Sequence, residues 1–589
     1  AGALLAAAVV LGMAIYAYEM LPTKEYAEYS VRGGGGEAAG GGASYEWATN
    51  WSLHPLELIT YIVPSWFGFG AQVGLDWKGQ AVNQFPGYWG WMPSTDNPPY
   101  IGIVPVILAI FALIYRRNRM TWFLAGFSVI VFFISFGRFL PVLYNLFYHY
   151  FPYFNKFRAP SLILFLIPLT VGLLGVYGMS WILDAGQKGH HGAGASAPDR
   201  KILKWVYVAA GVFVLTLIGK QVLFDMFPSS AFTKEGDPFN QQTMPVVREI
   251  RFELLWRDVL KVSGISVVLL GLIAAHLRRK IGAATMSVGI VALLVIDLAV
   301  IDQQFIHPRP KTDLQASLQA DATMQFLKSD TTTFRVMALE QNLFRDNTLM
   351  NHSLQSVTGY SPAKLKIYQE MYDSALVHPV DPVMPVNMNV VRMMNAKYVI
   401  SPTMLPPDRF QQVFADPAKK LVTYRTVGAL RRAWFTDSVF TAGSKSEMYA
   451  TMNSPEWQPD KLAILNEPVP EGITSPDSAW VQVTSFGAHA ISLRAYTSTP
   501  GLMVLSEVYY PAGWTATVDG AETKIFRTNA VLRSVVVPAG EHEVKFVFDP
   551  ESFRLGSTVT TAGWGVVLLL VAVGLFRDET IRGLLAKKG

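Results

Sequence analysis

Cysteine is absent from all 589 residues. Its absence excludes disulfides, thiolate metal ligands and thiol nucleophiles. Charge is also scarce. Asp, Glu, Lys and Arg make up 16% of the chain, against about 25% in an ordinary soluble protein. Hydrophobic residues supply 51%, more than a soluble core absorbs, and this excess predicts membrane spans. The net charge is +5, so no nucleic-acid-binding surface is expected. Common catalytic motifs are missing too: there is no GxSxG, no HExxH, no Walker motif and no GxGxxG with an acidic partner at the right distance. No metal site is read, because His190–His191 stand by themselves in a flexible linker.

What is present is a series of apolar runs, at about 1–20, 100–115, 120–140, 161–183, 203–225, 256–277, 281–302 and 557–576. They predict about seven spans before residue 302 and one near the C-terminus, the second of the series being short. The first run opens at Ala1 with no basic stretch before it, which is expected of a longer chain's remainder and not of a signal peptide. Four basic linkers set the orientation: "RRNR" (116–119), "GQKGHHGAGASAPDRK" (186–201), "LRRK" (277–280) and the tail "RDETIRGLLAKKG" (577–589). If each run crosses once, all four lie on one side, which the positive-inside rule makes the cytoplasm. Residues 21–99, 141–160, 226–255 and 303–556 are then expected outside.

Within "FNKFRAPS" (154–161), Lys156 and Arg158 fall on that outer side, where orientation does not favour basic residues. Two readings stand open. The pair caps local carbonyls or meets a carboxylate, or it holds an anion such as a lipid phosphate. Pro160 breaks the chain just before the next run. The stretch "GGGGEAAGGG" (33–42) reads as a flexible loop. "HPLELITYIVPSWFGFG" (54–70) reads as an interfacial or re-entrant helix. "FPGYWGWMPSTDNPPY" (85–100) concentrates Tyr88, Trp89, Trp91 and Tyr100. That cluster is either an aromatic belt at the headgroups or a platform on which the apolar face of a sugar stacks. Carboxylates on the same side include Glu19, Glu25, Glu28, Glu57, Asp76 and Asp96, none of which stands out as a catalytic base. Asp297 and Asp302, near the end of a run, read as exposed at the interface. The runs show no internal charges paired across the bilayer and no inverted repeat, which argues against a transporter.

Residues 303–556 form a polar insertion with two halves. Residues 303–425 mix helix-like stretches with strands such as "FRVMAL" and "AKYVISP", a mixed α/β region. Residues 426–555 read as strand after strand. In "EHEVKFVF" Val544, Phe546 and Phe548 alternate with the residues between them. "VLRSVVVPAGEHEVKFVF" predicts a hairpin through Pro-Ala-Gly and "WTATVDGAETKIF" another through Asp-Gly. Together they predict an antiparallel β-sandwich with Trp514 and Phe546 facing inward. The expected domains are 1–302 (transmembrane), 303–425, 426–555, and 556–589 (last helix and basic tail).

Several stretches carry a family resemblance: "LPTKEYAEYSVR" (21–32), "YWG" (88–90), "FGRFLP" (136–141), "FNKFRAPS", "NVVRMMNAKYVI" (389–400) and "YYPAGWTATVDG…TNAVLRSVVVPAGEHEVKFVF" (509–548). Over nearly its whole length the chain resembles the YfhO family of bacterial multispanning membrane proteins. The resemblance implies a GT-C-like helical transmembrane bundle in the bacterial cytoplasmic membrane with a large extracytoplasmic domain. It implies a glycosyltransferase that moves a sugar from a polyprenyl-phosphate donor to a cell-envelope acceptor. Membrane lipid, the donor and an envelope polymer or protein are the implied partners, with no nucleic acid. The cofactor is left unknown, a divalent cation being compatible with this chemistry. The family's catalytic acidic residue sits in the first external loop. Ala1 corresponds to a later span, so that residue is expected to precede this chain and no catalytic base is carried over. Arg138 in "FGRF" and Arg158 in "FRAP" match family positions as phosphate or structural residues. The alternative is a non-catalytic, membrane-anchored subunit of an envelope complex whose external domain binds a partner.

Overall fold

A computed structural model describes residues 2–577 apart from 34–43, 71–72, 78–79, 86, 96–98, 152–153, 189–196, 228, 235–238, 240–241, 307, 309, 313–314, 316–318, 340–346, 379, 381–383, 385 and 469–471. The glycine-rich loop, His190–His191, Asp96 and nearly all of the basic tail therefore lie outside the described residues. The long helices, in chain order, are α1 (Gly2–Ile15), α2 (Ala17–Tyr29), α3 (Ile103–Tyr115), α4 (Arg119–Ser135), α5 (Leu166–Lys188), α6 (Ala197–Ile218), α7 (Met244–Leu277), α8 (Ala283–Asp302) and α9 (Glu551–Arg577).

Every apolar run is helical, but fewer cross singly than the sequence predicts. Pro160–Gly186, Met244–Leu277, Ala283–Asp302 and Glu551–Leu575 are long and apolar enough to span a membrane. Two bent pairs raise the number to six: α1 with α2, and Ile202–Ile218 with Lys220–Met226, bent by 71° and 76°. The remaining two fall short. At 13 residues α3 covers roughly 20 Å, less than the ~30 Å hydrocarbon thickness.

The chain forms two compact units, Gly42–Arg309 and Ala1–Gly41 with Pro310–Gly589. The sequence reading kept 1–302 together, whereas the first helices group with the C-terminal part.

In Gly42–Arg309, α3, α5 and α7 share a buried cluster that includes Leu108, Ile182, Leu269 and Ile273. The stretch 54–70 forms a short 3-10 helix, Pro55–Tyr61, and then turns. It is followed by a hairpin of β1 (Val73–Trp77) and β2 (Gln80–Phe85). Pro160 opens a 3-10 turn, Pro160–Phe165, ahead of α5, as its fixed φ favours.

In the other unit, α1 and α2 lie along α9. The bend at Tyr16 breaks the ladder between Ala14 and Tyr18. Thr560 of α9 bridges the break, its Oγ1 accepting from Tyr18 N (3.0 Å) and donating to Ala14 O (3.2 Å). Insertion of a side chain into the ladder is a recognised cause of a kink. Gly556, one turn before, admits the approach: a Cβ there would meet Ala17 O at 2.6 Å. Small residues at such contacts let membrane helices close up. Leu568, Leu569 and Leu570 of α9 are exposed, a surface that suits lipid. From α2, Tyr26 donates to Ala363 O (2.8 Å) and Glu25 accepts from Tyr510 Oη (3.2 Å).

Among the described residues the β region of this unit has three sheets. β3 (Arg335–Ala338), β4 (Ala396–Ser401), β5 (Phe410–Asp416) and β6 (Leu421–Thr426) form a mixed sheet in the order β3-β4-β6-β5, with β3 and β4 parallel. A second, six-stranded sheet has the order β7 (Ala433–Phe435), β12 (Gly501–Val508), β16 (Leu532–Val537), β15 (Phe526–Thr528), β9 (Leu462–Leu465), β8 (Ser438–Thr441). The third contains β10 (Ala479–Phe486), β11 (Ala490–Thr497), β17 (Gly540–Phe548), β13 (Trp514–Val518) and β14 (Ala521–Thr523). The last two share one core, in which Met503, Leu505, Val535 and Val537 meet Ile491, Leu493, Val544 and Phe546.

Two expectations need correction here, and one holds. The strands are not all antiparallel, because β8 and β9 pair in parallel. The Asp-Gly hairpin forms, as β13–β14. The Pro-Ala-Gly hairpin does not: β16 lies in one sheet and β17 in the next, so Pro538–Gly540 carries the chain between sheets. The run of apolar residues in β12 gives the reason. Leu502 and Val504 face the α/β region while Met503 and Leu505 face the third sheet. The central sheet is thus buried on both faces, and its strands are apolar without alternation. Phe546 is fully buried, and Trp514 is half-buried at the edge of the same core.

A buried charge cluster ties these layers. Arg335 Nη2 and Arg432 Nη2 reach Glu507 Oε1 at 3.0 and 2.5 Å. Arg335 Nη1 donates to Met394 O and Ser506 Oγ, both at 3.0 Å. Arg533 sits 3.8 Å above the Trp514 ring. Burial, followed by the neighbouring Arg335, lowers the Arg432 guanidinium to about 10; Arg533, likewise buried, falls to about 10.

Candidate functional site

A cavity of about 650 Å³ opens in Gly42–Arg309, within the range of small-molecule sites. It brings together three of the residues expected from sequence, Trp89, Trp91 and Arg138, and adds Lys234.

The aromatic wall is built on Glu57. This carboxylate is 2% exposed. Its Oε1 accepts from Tyr88 Oη at 2.9 Å and from Trp91 N at 2.7 Å. Tyr88 in turn accepts from Met92 N at 2.8 Å. The residue between the tryptophans must be glycine, because a Cβ at Gly90 would lie 2.5 Å from Tyr88 Oη and 2.6 Å from Glu57 Oε1. Burial raises the Glu57 carboxyl above its usual value, opposed by the Trp91 N–H, the Tyr88 hydroxyl and the Lys234 charge. Burial also raises the Tyr88 hydroxyl. Glu57 was one of six carboxylates noted from the sequence; its place at the turn marks it as the positioning residue of this wall.

Trp91 is 40% exposed. Its ring stacks on His54 at 3.7 Å, and His54 meets Phe139 edge-on at 4.8 Å. Trp91 therefore offers a held, accessible aromatic face. Tyr88 does not. It is buried, with Lys234 Nζ 4.7 Å above its ring, and it supports the platform without lining the cavity.

The opposite wall is the segment before α7. Arg251 of α7, fully buried, donates from Nη1 to Phe232 O at 2.5 Å and lies 5.3 Å over the Trp89 ring. Arg248 Nη2 donates to Phe224 O and Phe227 O at 2.5 and 2.7 Å. These bonds present Lys234, whose Nζ donates to Met92 O (2.5 Å) and Pro93 O (2.8 Å). Sequence reasoning missed Lys234. It lies in a loop expected outside, but no neighbour in sequence announces the ring it covers.

Arg138 is exposed, 5.1 Å from the Phe139 ring, with its backbone N–H on Ser52 Oγ at 3.1 Å. Lys156 and Arg158 do not line this cavity. Arg158 is half-buried between Trp47 and Trp51, 4.9 and 5.2 Å from their rings. It has no carboxylate partner among the described residues. Lys156 is half-buried at the end of the turn Phe154–Lys156. Arg138 and Arg158 are thus both fastened to the segment 47–52.

Two further expectations are corrected. Asp297 is not exposed at an interface but fully buried. Its carboxylate meets Lys261 Nζ at 3.4 Å, Tyr100 Oη at 2.5 Å and Ile103 N at 2.8 Å. The apolar helices therefore do contain an internal ion pair, between α7 and α8. Its sequence signal, an Asp and a Lys in separate apolar runs, is one a membrane interior makes informative. Among the described residues no group of three His, Asp or Glu side chains is placed to hold a metal ion.

Residues 481–560 match the family model described as bacterial membrane protein YfhO. The matched stretch runs from β10 to the first turns of α9, and over these residues the match bears out the family resemblance. No curated protein and no solved structure matched the chain.

Proposed function

We propose that this YfhO-like membrane protein is a glycosyltransferase-like protein of GT-C type. In this reading it takes a sugar from a polyprenyl-phosphate donor at the outer face of the bacterial cytoplasmic membrane. Residues 303–555 form the extracytoplasmic part, with β7–β17 as its β-sandwich, and the acceptor is a cell-envelope polymer or protein. The observation that carries the reading is the cavity in which the accessible face of Trp91 stands with Arg138 and Lys234. An apolar sugar face suits an indole ring, and a phosphate suits a guanidinium and an ammonium. Arg158 and Lys156 remain proposed contacts for the same lipid phosphate, as a second basic pair beside the segment 47–52.

The test is binding of a short-chain polyprenyl phosphate, with the neutral polyprenol as control, to full-length protein in nanodiscs. Arg138→Ala is expected to weaken binding of the phosphate tenfold to a hundredfold, the worth of a charge-assisted contact of roughly 1.5–3 kcal/mol. Arg158→Lys, which keeps the charge and loses the fork, is expected to weaken it less. Equal binding of phosphate and alcohol, unchanged by Arg138→Ala at matched thermal stability, overturns the reading and favours a membrane-anchored subunit without a donor site.

A further inference from the structure

A second cavity, of about 860 Å³, lies between the mixed sheet and the edge strand β10. It is unlike the first, with no aromatic side chain among the described residues of its lining. Hydroxyl and amide groups of Thr331, Thr332, Gln411 and Gln482 face it together with Arg425 and Arg431.

Charge on this wall is not balanced. Lys397, also in the lining, is neutralised by Asp330 and donates to Thr332 Oγ1 at 2.9 Å. Burial would raise the Asp330 carboxyl, but its bonds to Lys397 and Thr332 outweigh that and hold it well below the usual range. Arg432 is committed to Glu507. Arg425 and Arg431 are exposed, and neither has a carboxylate partner among the described residues. Gln411 stands directly opposite Arg425 in the β5–β6 ladder, so cation and amide share one face of the sheet. Two polar atoms in the wall, Thr426 Oγ1 and Arg432 Nε, are buried without a hydrogen-bond partner, in residues 3% and 4% exposed. Native proteins rarely leave such atoms unmatched.

We propose that this cavity binds an anionic saccharide, its carboxylate or phosphate held by Arg425 and Arg431 and its hydroxyls by the threonine and glutamine side chains. Guanidinium groups recognise both anions through the same fork. Groups that both donate and accept, in numbers, match a polyol better than an acidic peptide, whose side chains are mostly acceptors. The site is independent of the donor cavity and stands whether or not transferase activity does.

The experiment uses the full chain in detergent and three saccharide probes: glucose 6-phosphate, a glucuronate oligomer, and neutral maltotriose. A short poly-glutamate peptide is the fourth arm. Arg425→Gln and Arg431→Gln are surface changes expected to leave melting unaltered. At least one anionic saccharide is expected to bind, maltotriose at least tenfold more weakly, and either variant is expected to lose about tenfold in affinity. Preference between phosphate and carboxylate probes identifies the anion. Binding of neither anionic saccharide, affinity equal to maltotriose, tighter binding of the peptide, or insensitivity to both variants overturns the proposal. A polyprenyl-phosphate result at Arg138 bears on the other cavity only.

Discussion

Between residues 42 and 309 three buried or half-buried arginines, Arg251, Arg158 and Arg248, face rings and carbonyl oxygens, while Arg116 meets Asp184 at 3.2 Å. Arg251 lies over Trp89 and donates to Phe232 O, Arg158 sits between Trp47 and Trp51, and Arg248 reaches two carbonyls and the Phe224 ring. Between 310 and 550 Arg335 and Arg432 converge on one carboxylate, Glu507, and Arg533 adds its charge beside them. Carbonyl dipoles and π faces spread the compensation of a cation over several weak partners. A single carboxylate concentrates it, and its loss leaves buried charge unopposed. The first arrangement is tolerant of single changes; the second has one critical member.

The largest expected effect tests that asymmetry directly. Glu507→Gln leaves Arg335 and Arg432 without their counter-charge and is expected to cost about 3–5 kcal/mol. It is read as lost melting temperature, or lost expression, of the full chain. Arg432→Met in the same background is expected to recover part of that loss, because it removes one of the stranded charges. A melting temperature unchanged by Glu507→Gln would show that the cluster is solvated and the contrast empty. The counterpart, Arg251→Met, removes a cation instead of an anion. It leaves Phe232 O without its donor and loosens the segment that carries Lys234, at about 1–3 kcal/mol. Polyprenyl-phosphate binding should fall with it. If Arg251→Met proves as damaging as Glu507→Gln, compensation in the two regions does not differ.

The same contrast explains what the sequence made legible. Apolar runs gave the positions of the long helices other than α2, most of which lies past the end of the first run, because length and hydropathy are local properties. Crossing was not legible. The bend at Tyr16 has no Gly or Pro to announce it and is bridged by Thr560, more than five hundred residues away. Pro538–Gly540 has the residues of a turn, and only the burial of β16 on both faces shows that it joins two sheets. In the donor cavity, aromatic density around Trp89 and Trp91 was visible, and so was Arg138. Lys234 and the role of Glu57 were not, since each is defined by a ring or an N–H distant in the chain. The second cavity left no sequence signal at all, being assembled from 331–332, 411, 425–432 and 481–483. Polar atoms at the ends of separate strands become a site only when the sheets meet.

The smallest expected effect lies at the rim of the third sheet, where a charge pair is exposed and not buried. His542 Nδ1 and Asp519 Oδ2 are 2.6 Å apart, and Asp519 Oδ1 accepts from Glu543 N at 2.8 Å. Asp519 stands in the left-handed region at φ 50 and begins the Asp-Gly turn between β13 and β14. The hydrogen bond to Asp519 raises the His542 imidazole above its ordinary 6.5, against a smaller opposing effect of burial. The same bond lowers the Asp519 carboxyl below 3.8. A raised histidine stabilises the fold fully below its unfolded value, and the benefit is lost as pH rises through the folded value. The lowered aspartate contributes above its unfolded value and loses that contribution as pH falls through the folded one. The pair is therefore most effective between these limits, from about pH 4 to 6.5, and fades on the alkaline side. Melting followed from pH 5 to 8 should show a small decline for the wild type that Asp519→Asn removes, because the amide cannot favour the imidazolium. Raising the salt concentration should shrink the difference, as it screens an exposed pair. An identical slope in both proteins would place the pH dependence of this domain elsewhere and leave Asp519 as a turn residue alone.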